Sequence, residues 1–185
     1  MVIKMNEHII TSSNNLYSGK ISVRSDKYQL GDKTIEKEIV EHPDTVGIIA
    51  LDNKDNLILV EQFRIATRNS LMEIPAGKIE KGETPKDAAL REMNEEIGYS
   101  GKLTPLFQCY LAPGYVTEKM HFFLASNLKI SRKRLTQDED EEIKIKRIKL
   151  TTALEKCKSG KIVDCKTIAA IMMISNSKNR LVKGK

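Results

Sequence analysis

The chain has no tryptophan, and its aromatic rings come only from five tyrosines and four phenylalanines, so any stacking on a base must fall to those few side chains. Cysteine is scarce. Cys109, Cys157 and Cys165 are odd in number and form no CxxC pair, which argues against a disulfide framework or a zinc site and leaves reduced core or surface thiols. No apolar run approaches the roughly 18–20 residues that span a bilayer. Residues 1–12 are polar and lack the apolar stretch and small-residue cleavage site of a secretory signal. A soluble cytoplasmic protein without a membrane partner is expected. Internal repeats and low-complexity linkers are also absent.

What is present suits one domain with a small extension. There are 185 residues, and 40% of them are hydrophobic, enough for a core. The net charge of +6 raises nucleic acid as a partner. The basic residues are dispersed, however, with clusters only at 132–134, 144–149 and 178–185, and no aromatics interleave with them. Nucleic acid is therefore not the expected partner. The same field would draw a small molecule that carries phosphate.

Residues 1–15 read as poorly ordered, because Ser12-Ser13-Asn14-Asn15 is a polar run. Strand-like alternation follows near 20–23 and 34–41, then a buried strand at 46–51, a turn at 52–56 and a return strand at 57–61. Pro75-Ala76-Gly77 breaks the pattern and opens a loop. Thr84 is an N-cap, Pro85 suits the first helical position and Asp87 completes an acidic capping box, so a helix is predicted from Thr84 to Ile97, stopped by Gly98. Further strands are predicted at 103–110, 120–125 and 143–150, an acidic stretch at 138–142, and helices at 152–159 and 167–175. Strands flanked by a middle helix and C-terminal helices imply an α/β or α+β sandwich.

On a helical wheel Ala89, Leu90, Met93 and Ile97 form one stripe, and Glu92, Glu95 and Glu96 another, roughly 125° away. Like charges this close repel. A solvated acidic face is one explanation. The other is a divalent cation held by clustered oxygens, and Mg²⁺ suits that site because it takes one or two carboxylates, water and substrate phosphate. No cysteine or histidine stands in this segment to favour a softer metal.

Gly77, Glu83, Arg91, Glu92, Met93, Glu95, Glu96 and Gly98 fall at the places of the Nudix box, G-x5-E-x7-R-E-U-x-E-E-x-G-U, where U is bulky and aliphatic. The one departure is Tyr99 at the last position, a packing slot. The chain thus resembles the Nudix hydrolases. The resemblance implies a Nudix fold, with mixed β-sheets sandwiched between α-helices, over 44–185, preceded by a small β extension, 1–43. It implies Glu92, Glu96 and the backbone carbonyl of Ala76 as metal ligands, with Mg²⁺ (or Mn²⁺) as cofactor. Glu95 would assist as auxiliary ligand or base, and Arg91 would pair with Glu83 to hold the loop against the helix.

The flanking runs are similar to the ADP-ribose pyrophosphatases within that family. Leu59-Val60-Glu61-Gln62-Phe63-Arg64 and Met72-Glu73-Ile74-Pro75-Ala76-Gly77 resemble "LVEQYR…LELPAGK". Ala112-Pro113-Gly114 with Glu118 resembles "SPG-x-x-x-E", Asp138-Glu139-Asp140-Glu141 an acidic catalytic loop, and the run from Gly160 to Thr167 a "GxIxDAKT" segment. This implies hydrolysis of a nucleoside diphosphate sugar, ADP-ribose foremost, to AMP and ribose 5-phosphate. Glu139 is then the first candidate for general base, with Glu141 the second candidate and a metal ligand on loop closure. Arg64 would clamp phosphate, Lys37 and Glu38 would position phosphate and adenine, and Pro113, Gly114 and Glu118 would shape the ribose wall. Lys37 stands where relatives commonly have arginine. Lys166-Thr167 reads as helix initiation and packing. A homodimer with exchanged N-terminal strands is implied, and Tyr17 and Tyr28 are candidates for stacking on adenine. GDP-mannose or a related nucleotide sugar remains the alternative substrate; a basic RNA-processing enzyme and a non-catalytic binding module are the others.

Overall fold

The computed structural model describes residues 9–19, 21–131 and 143–183, with side chains described through residue 176. The described residues form ten strands and three helices. They divide into two compact units, one of residues up to Asp44 joined by Tyr110–Lys119, the other of Thr45–Cys109 with the residues from Met120 onward.

In the first unit β1 (Ile9–Ser18), β2 (Ser22–Leu30) and β3 (Lys33–Glu41) make an antiparallel sheet in that order. This corrects the expectation of disorder for residues 9–15. Strand pairing uses main-chain groups, which a polar run supplies as well as an apolar one, and β1 pairs with β2 along most of its length, from Ile9 opposite Gln29 to Ser18 opposite Ser22. Polar side chains lock the register. The buried Asp26 carboxylate accepts from Ser13 Oγ at 2.6 Å and from Arg24 Nε at 3.0 Å, and Arg24 also pairs with Glu41. At the far end Val40 bridges to Val116, and Thr117 Oγ1 accepts from His42 N at 2.9 Å.

The second unit is built on a sheet ordered β10-β5-β4-β9-β8, from β4 (Thr45–Leu51), β5 (Asn56–Arg64), β8 (Tyr99–Tyr110), β9 (Lys119–Ile130) and β10 (Lys144–Lys149). Two short strands, β6 (Asn69–Glu73) on β5 and β7 (Ala76–Lys78) on β4, complete it. Strands β4 and β5 are buried on both faces over Val46–Ala50 and Leu57–Val60, the stretches where their sequences carry no charged or polar side chain. Val46, Ile48, Ala50, Ile58 and Val60 meet Ala88, Ala89, Met93 and Ile97 of helix α1 (Pro85–Ile97). The alternate residues Ile49, Leu57 and Leu59 are buried too and point to the opposite face by the two-residue period. Helix α2 (Leu150–Lys158) packs against β5 and β10, and helix α3 (Cys165–Lys183) against β4 and β6. The result is the sandwich expected of an α/β chain.

Three local expectations need correction. Ala76–Lys78 is not open loop but strand β7, because Pro75 gives up only a donor that β4 does not require: its carbonyl still accepts from Ile48 N at 2.8 Å. Leu90 is 37% exposed, whereas Ala88 is fully buried, so the apolar stripe of α1 is rotated toward the side that also buries Glu96. The capping residue Asp87 does not bond the Thr84 backbone. Its carboxylate accepts the Thr84 hydroxyl at 2.6 Å while Thr84 Oγ1 accepts from Asp87 N at 3.2 Å. The helix ends as read, with Gly98 in the left-handed region at φ 70°.

The β4–β5 turn is organised by Asp52, whose Oδ1 accepts from Lys54 N at 2.8 Å and Asn56 N at 2.9 Å and whose Oδ2 pairs with Arg147 at 2.8 Å. Burial pushes this carboxyl up, but the Asn56 and Lys54 hydrogen bonds and Arg147 outweigh it, bringing the pKa from 3.8 to about 2. A depressed carboxyl stabilises above its unfolded value and loses that contribution as pH falls through the folded one. Wild type should therefore lose about 1–2 kcal/mol more than Asp52→Asn between pH 4 and pH 2. Urea melts across that window would check it; equal losses would contradict it.

Candidate active site

Helix α1 places its carboxylates along one side, and Arg91 ties them to the preceding loop. Arg91 Nε donates to Glu83 Oε1 at 2.9 Å and Nη2 to Glu83 Oε2 at 3.0 Å, a two-pronged pair. Nη1 donates to Glu92 Oε1 at 2.8 Å and to Glu95 Oε2 at 2.9 Å, and Nη2 also reaches the Lys78 carbonyl at 2.9 Å. One guanidinium thus offsets the repulsion of several acids. The Glu83 bond, then the neighbouring glutamates, raise the Arg91 pKa further against burial, and Arg91 in turn holds Glu83 below the usual carboxylate range. Glu83 Oε2 also accepts from Glu80 N at 3.0 Å, which fixes the loop ahead of the helix.

Strand β7 closes the other side. Glu96 is only 3% exposed, and its Oε2 accepts from Ala76 N at 3.1 Å. Gly77 leaves room for Glu92: a Cβ at Gly77 would lie 1.9 Å from Glu92 Oε1. The structure therefore brings Ala76, Arg91, Glu92, Glu95 and Glu96 together. Arg64, at the end of β5, sits in a forked pair with the buried Glu73 at 2.8 Å for both bonds, and the Glu96 charge adds to the forces that keep Arg64 protonated.

The other predicted site residues whose placement is described lie in the first unit. Lys37 and Glu38 line a cavity of about 440 Å³ together with Leu16, Ser25 and Glu36. Pro113 and Gly114 are exposed at the tip of a turn closed by Tyr115 N and Val116 N on the Ala112 carbonyl, at 3.2 and 2.9 Å, and Glu118 follows half-buried. Tyr17 is exposed on β1 and Tyr28 half-buried on β2. Glu139 and Glu141 lie outside the described residues.

The sequence profile of the NUDIX domain matches residues 41–163. The chain belongs to the Nudix family. Among the relatives it resembles is the ADP-ribose pyrophosphatase of Bacillus subtilis (strain 168), 37% identical over 175 residues, or 93% of this chain and 95% of that one. The methanol dehydrogenase activator of Bacillus methanolicus is 34% identical over 92% of this chain and 94% of its own. A GDP-mannose pyrophosphatase of Citrobacter koseri is 36% identical, over 67% of this chain and 69% of that one. A solved structure described as an ADP compounds hydrolase superposes with a TM-score of 0.83 over 97% of this chain and 96% of that one at 22% identity, which shows that the Nudix fold is shared.

The residues at the Nudix box fit a divalent cation that prefers oxygen. Among the described residues no group of three or more acids, histidines or cysteines is placed to hold a metal ion by itself, but Mg²⁺ takes only one or two carboxylates and completes its shell with water and phosphate. The cradle over Gly77 and the deep placement of Glu96 provide that number. In the sequence Lys166 reads as helix initiation and packing, and Glu73 only as part of a motif. Glu73 offered one signal: an acid inside the apolar run Leu71-Met72-Glu73-Ile74 must find a cation if the strand is buried.

Proposed function

We propose that this Nudix enzyme hydrolyses the pyrophosphate bond of ADP-ribose to AMP and ribose 5-phosphate. The observation that carries the hydrolytic reading is the gathering of Glu92 and Glu96 against Ala76 and Gly77. The substrate reading is supported by the ADP-ribose pyrophosphatase that matches nearly the whole chain. Mg²⁺ is the proposed cofactor, with Mn²⁺ as a substitute, held by Glu92, Glu96 and the Ala76 carbonyl. When bound, such a cation withdraws charge from phosphorus and lowers the pKa of the attacking water.

The chain's own groups supply the rest. Arg91 keeps Glu92 and Glu95 pointed to one place, so their charge is preorganised rather than gathered during the reaction. Arg64 presents a planar fork to phosphate oxygens; for Lys37, Glu38, Pro113, Gly114 and Glu118 the substrate-binding role rests on the family resemblance alone. Glu139 is proposed as the base that accepts the water's proton, with Glu141 aiding the cation. Glu139→Gln should lower kcat by about 10²–10⁴-fold, and Glu141→Gln should raise the Mg²⁺ requirement. Wild-type rates in both would remove these two acids from the mechanism.

A homodimer and a cytoplasmic setting belong to the same reading. Ile9, Ile10, Leu16 and Tyr17 expose apolar surface on the first unit, which suits pairing with a second copy. No described helix is long and apolar enough to cross a membrane.

The GDP-mannose pyrophosphatase likeness favours a second substrate reading. A panel of nucleotide sugars with Mg²⁺, scored by phosphate release after phosphatase treatment, separates the two. ADP-ribose should give the highest kcat/KM; brisk turnover of GDP-mannose with none of ADP-ribose would reject the first reading.

A further inference from the structure

Glu73 is 1% exposed, yet it lies on β6 two residues before Pro75 and three before the Ala76 that bonds Glu96. Its carboxylate receives three hydrogen bonds: from Arg64 Nε and Nη2, both at 2.8 Å, and from Lys166 Nζ, which arrives from a position 93 residues away. Lys166 is itself restrained, because it also donates to Asp164 Oδ1 at 2.9 Å. Asp164 in turn fixes the start of α3, accepting from Thr167 N at 3.0 Å and Thr167 Oγ1 at 2.5 Å. Thr167 Oγ1 then accepts from Ile74 N at 2.8 Å. The first turn of α3 therefore grips the last residue of β6, Glu73, and the residue after it, Ile74.

The consequence falls on Arg64. A guanidinium has five N–H donors in a rigid plane, and the Glu73 pair uses one edge of it. The Nη1 donors have no partner among the described residues, and the side chain is 40% exposed. Burial pushes the Glu73 carboxyl up, but the Arg64 and Lys166 bonds outweigh it and keep it charged. Arg64 is thus clamped on its inner edge and open on its outer edge, beside the charge of Glu96. Without the clamp its long side chain would sample many rotamers and would lose that freedom on each binding event.

We infer that Glu73 and Lys166 are positioning residues for hydrolysis, holding Arg64 as a preset fork for substrate phosphate oxygens. The inference rests on the reading that Arg64 meets phosphate. It predicts that Glu73 acts on substrate only through Arg64, which a double-mutant cycle can separate from a general structural role.

The experiment measures kcat and KM for ADP-ribose, and the Kd for AMP in EDTA, in wild type, Glu73→Gln, Arg64→Ala and the double variant. Glu73→Gln should raise KM and the AMP Kd by on the order of 10- to 100-fold, with a smaller change in kcat. In the Arg64→Ala background the same substitution should have no further effect on either quantity. Independent, multiplying effects, or an unchanged KM with only a lower Tm, would overturn the inference. If Glu73→Gln does not fold, Lys166→Gln carried through the same cycle should show the same coupling, and its absence would overturn it equally. Failure of the wild type to turn over ADP-ribose would reject the substrate reading alone. The cycle would then be scored with the nucleotide sugar that is turned over and with AMP binding.

Discussion

Glu96→Gln should lower kcat by on the order of 10³-fold or more while leaving the fold nearly intact. The substitution keeps the size of the side chain and leaves a carbonyl oxygen that can still accept from Ala76 N, the contact that anchors Glu96 beside β7. What it removes is one full negative charge from a site that is 3% exposed. In so dry a place a charge acts on a divalent cation with little solvent screening. Activity should therefore fall far more than Tm, and apparent Mg²⁺ affinity should fall with it. Steady-state rates across a Mg²⁺ titration, paired with thermal melts, would check this. A fully active Glu96→Gln variant would refute the metal assignment. A variant that simply unfolds would show that Glu96 is structural.

Gly77→Ala should be the more selective lesion. The added methyl would stand 1.9 Å from Glu92 Oε1 and 2.0 Å from its Cδ, far inside contact distance. The obstructing atoms are the end of a flexible side chain rather than backbone, so the fold can yield at small cost. Glu92 cannot stay where it is, and the 2.8 Å bond from Arg91 Nη1 must break or lengthen. Displacement of a ligand by about 1 Å can cost on the order of 10²-fold in rate. We expect kcat/KM to drop by that order, with a stability loss below about 1 kcal/mol. Unchanged kinetics would mean that the position of Glu92 does not matter to the reaction.

These two variants probe the part of the molecule that the sequence displays most openly. The ends of α1 were readable because Thr84, Pro85 and Gly98 encode them through local backbone chemistry. The box residues were readable because a fixed spacing on one helix needs no knowledge of distant contacts. Strand β1 was not readable, since its polar residues pair through main-chain groups and the register is set by Asp26 and Arg24 on the neighbouring strand. Strand β7 hid behind Pro75 and Gly77, which ordinarily signal loop. The orientation of α1 was off by part of a turn because packing chose the fully buried Ala88 over Leu90, a choice that depends on what β4 and β5 present.

The Glu73 cluster shows a different limit. Its partners Arg64 and Lys166 are separated from it by 9 and 93 residues, and only the fold brings them to one carboxylate. A motif reading can record that each residue stands where relatives of similar sequence have it. It cannot tell that Lys166 and Arg64 share an anchor. The same holds for Lys37 and Glu38, which the sequence places beside Glu36 but not beside Leu16 and Ser25 at one cavity.

If this Nudix chain cleaves the pyrophosphate bond of ADP-ribose with the help of a divalent cation, both products and the metal requirement are visible in one kind of spectrum. Phosphorus NMR of ADP-ribose incubated with the protein tests it most directly. With Mg²⁺ the two pyrophosphate resonances should be replaced by those of AMP and ribose 5-phosphate, without inorganic phosphate, and EDTA should stop the change. Intact ADP-ribose after prolonged incubation with Mg²⁺, or equal cleavage in EDTA, would contradict the account.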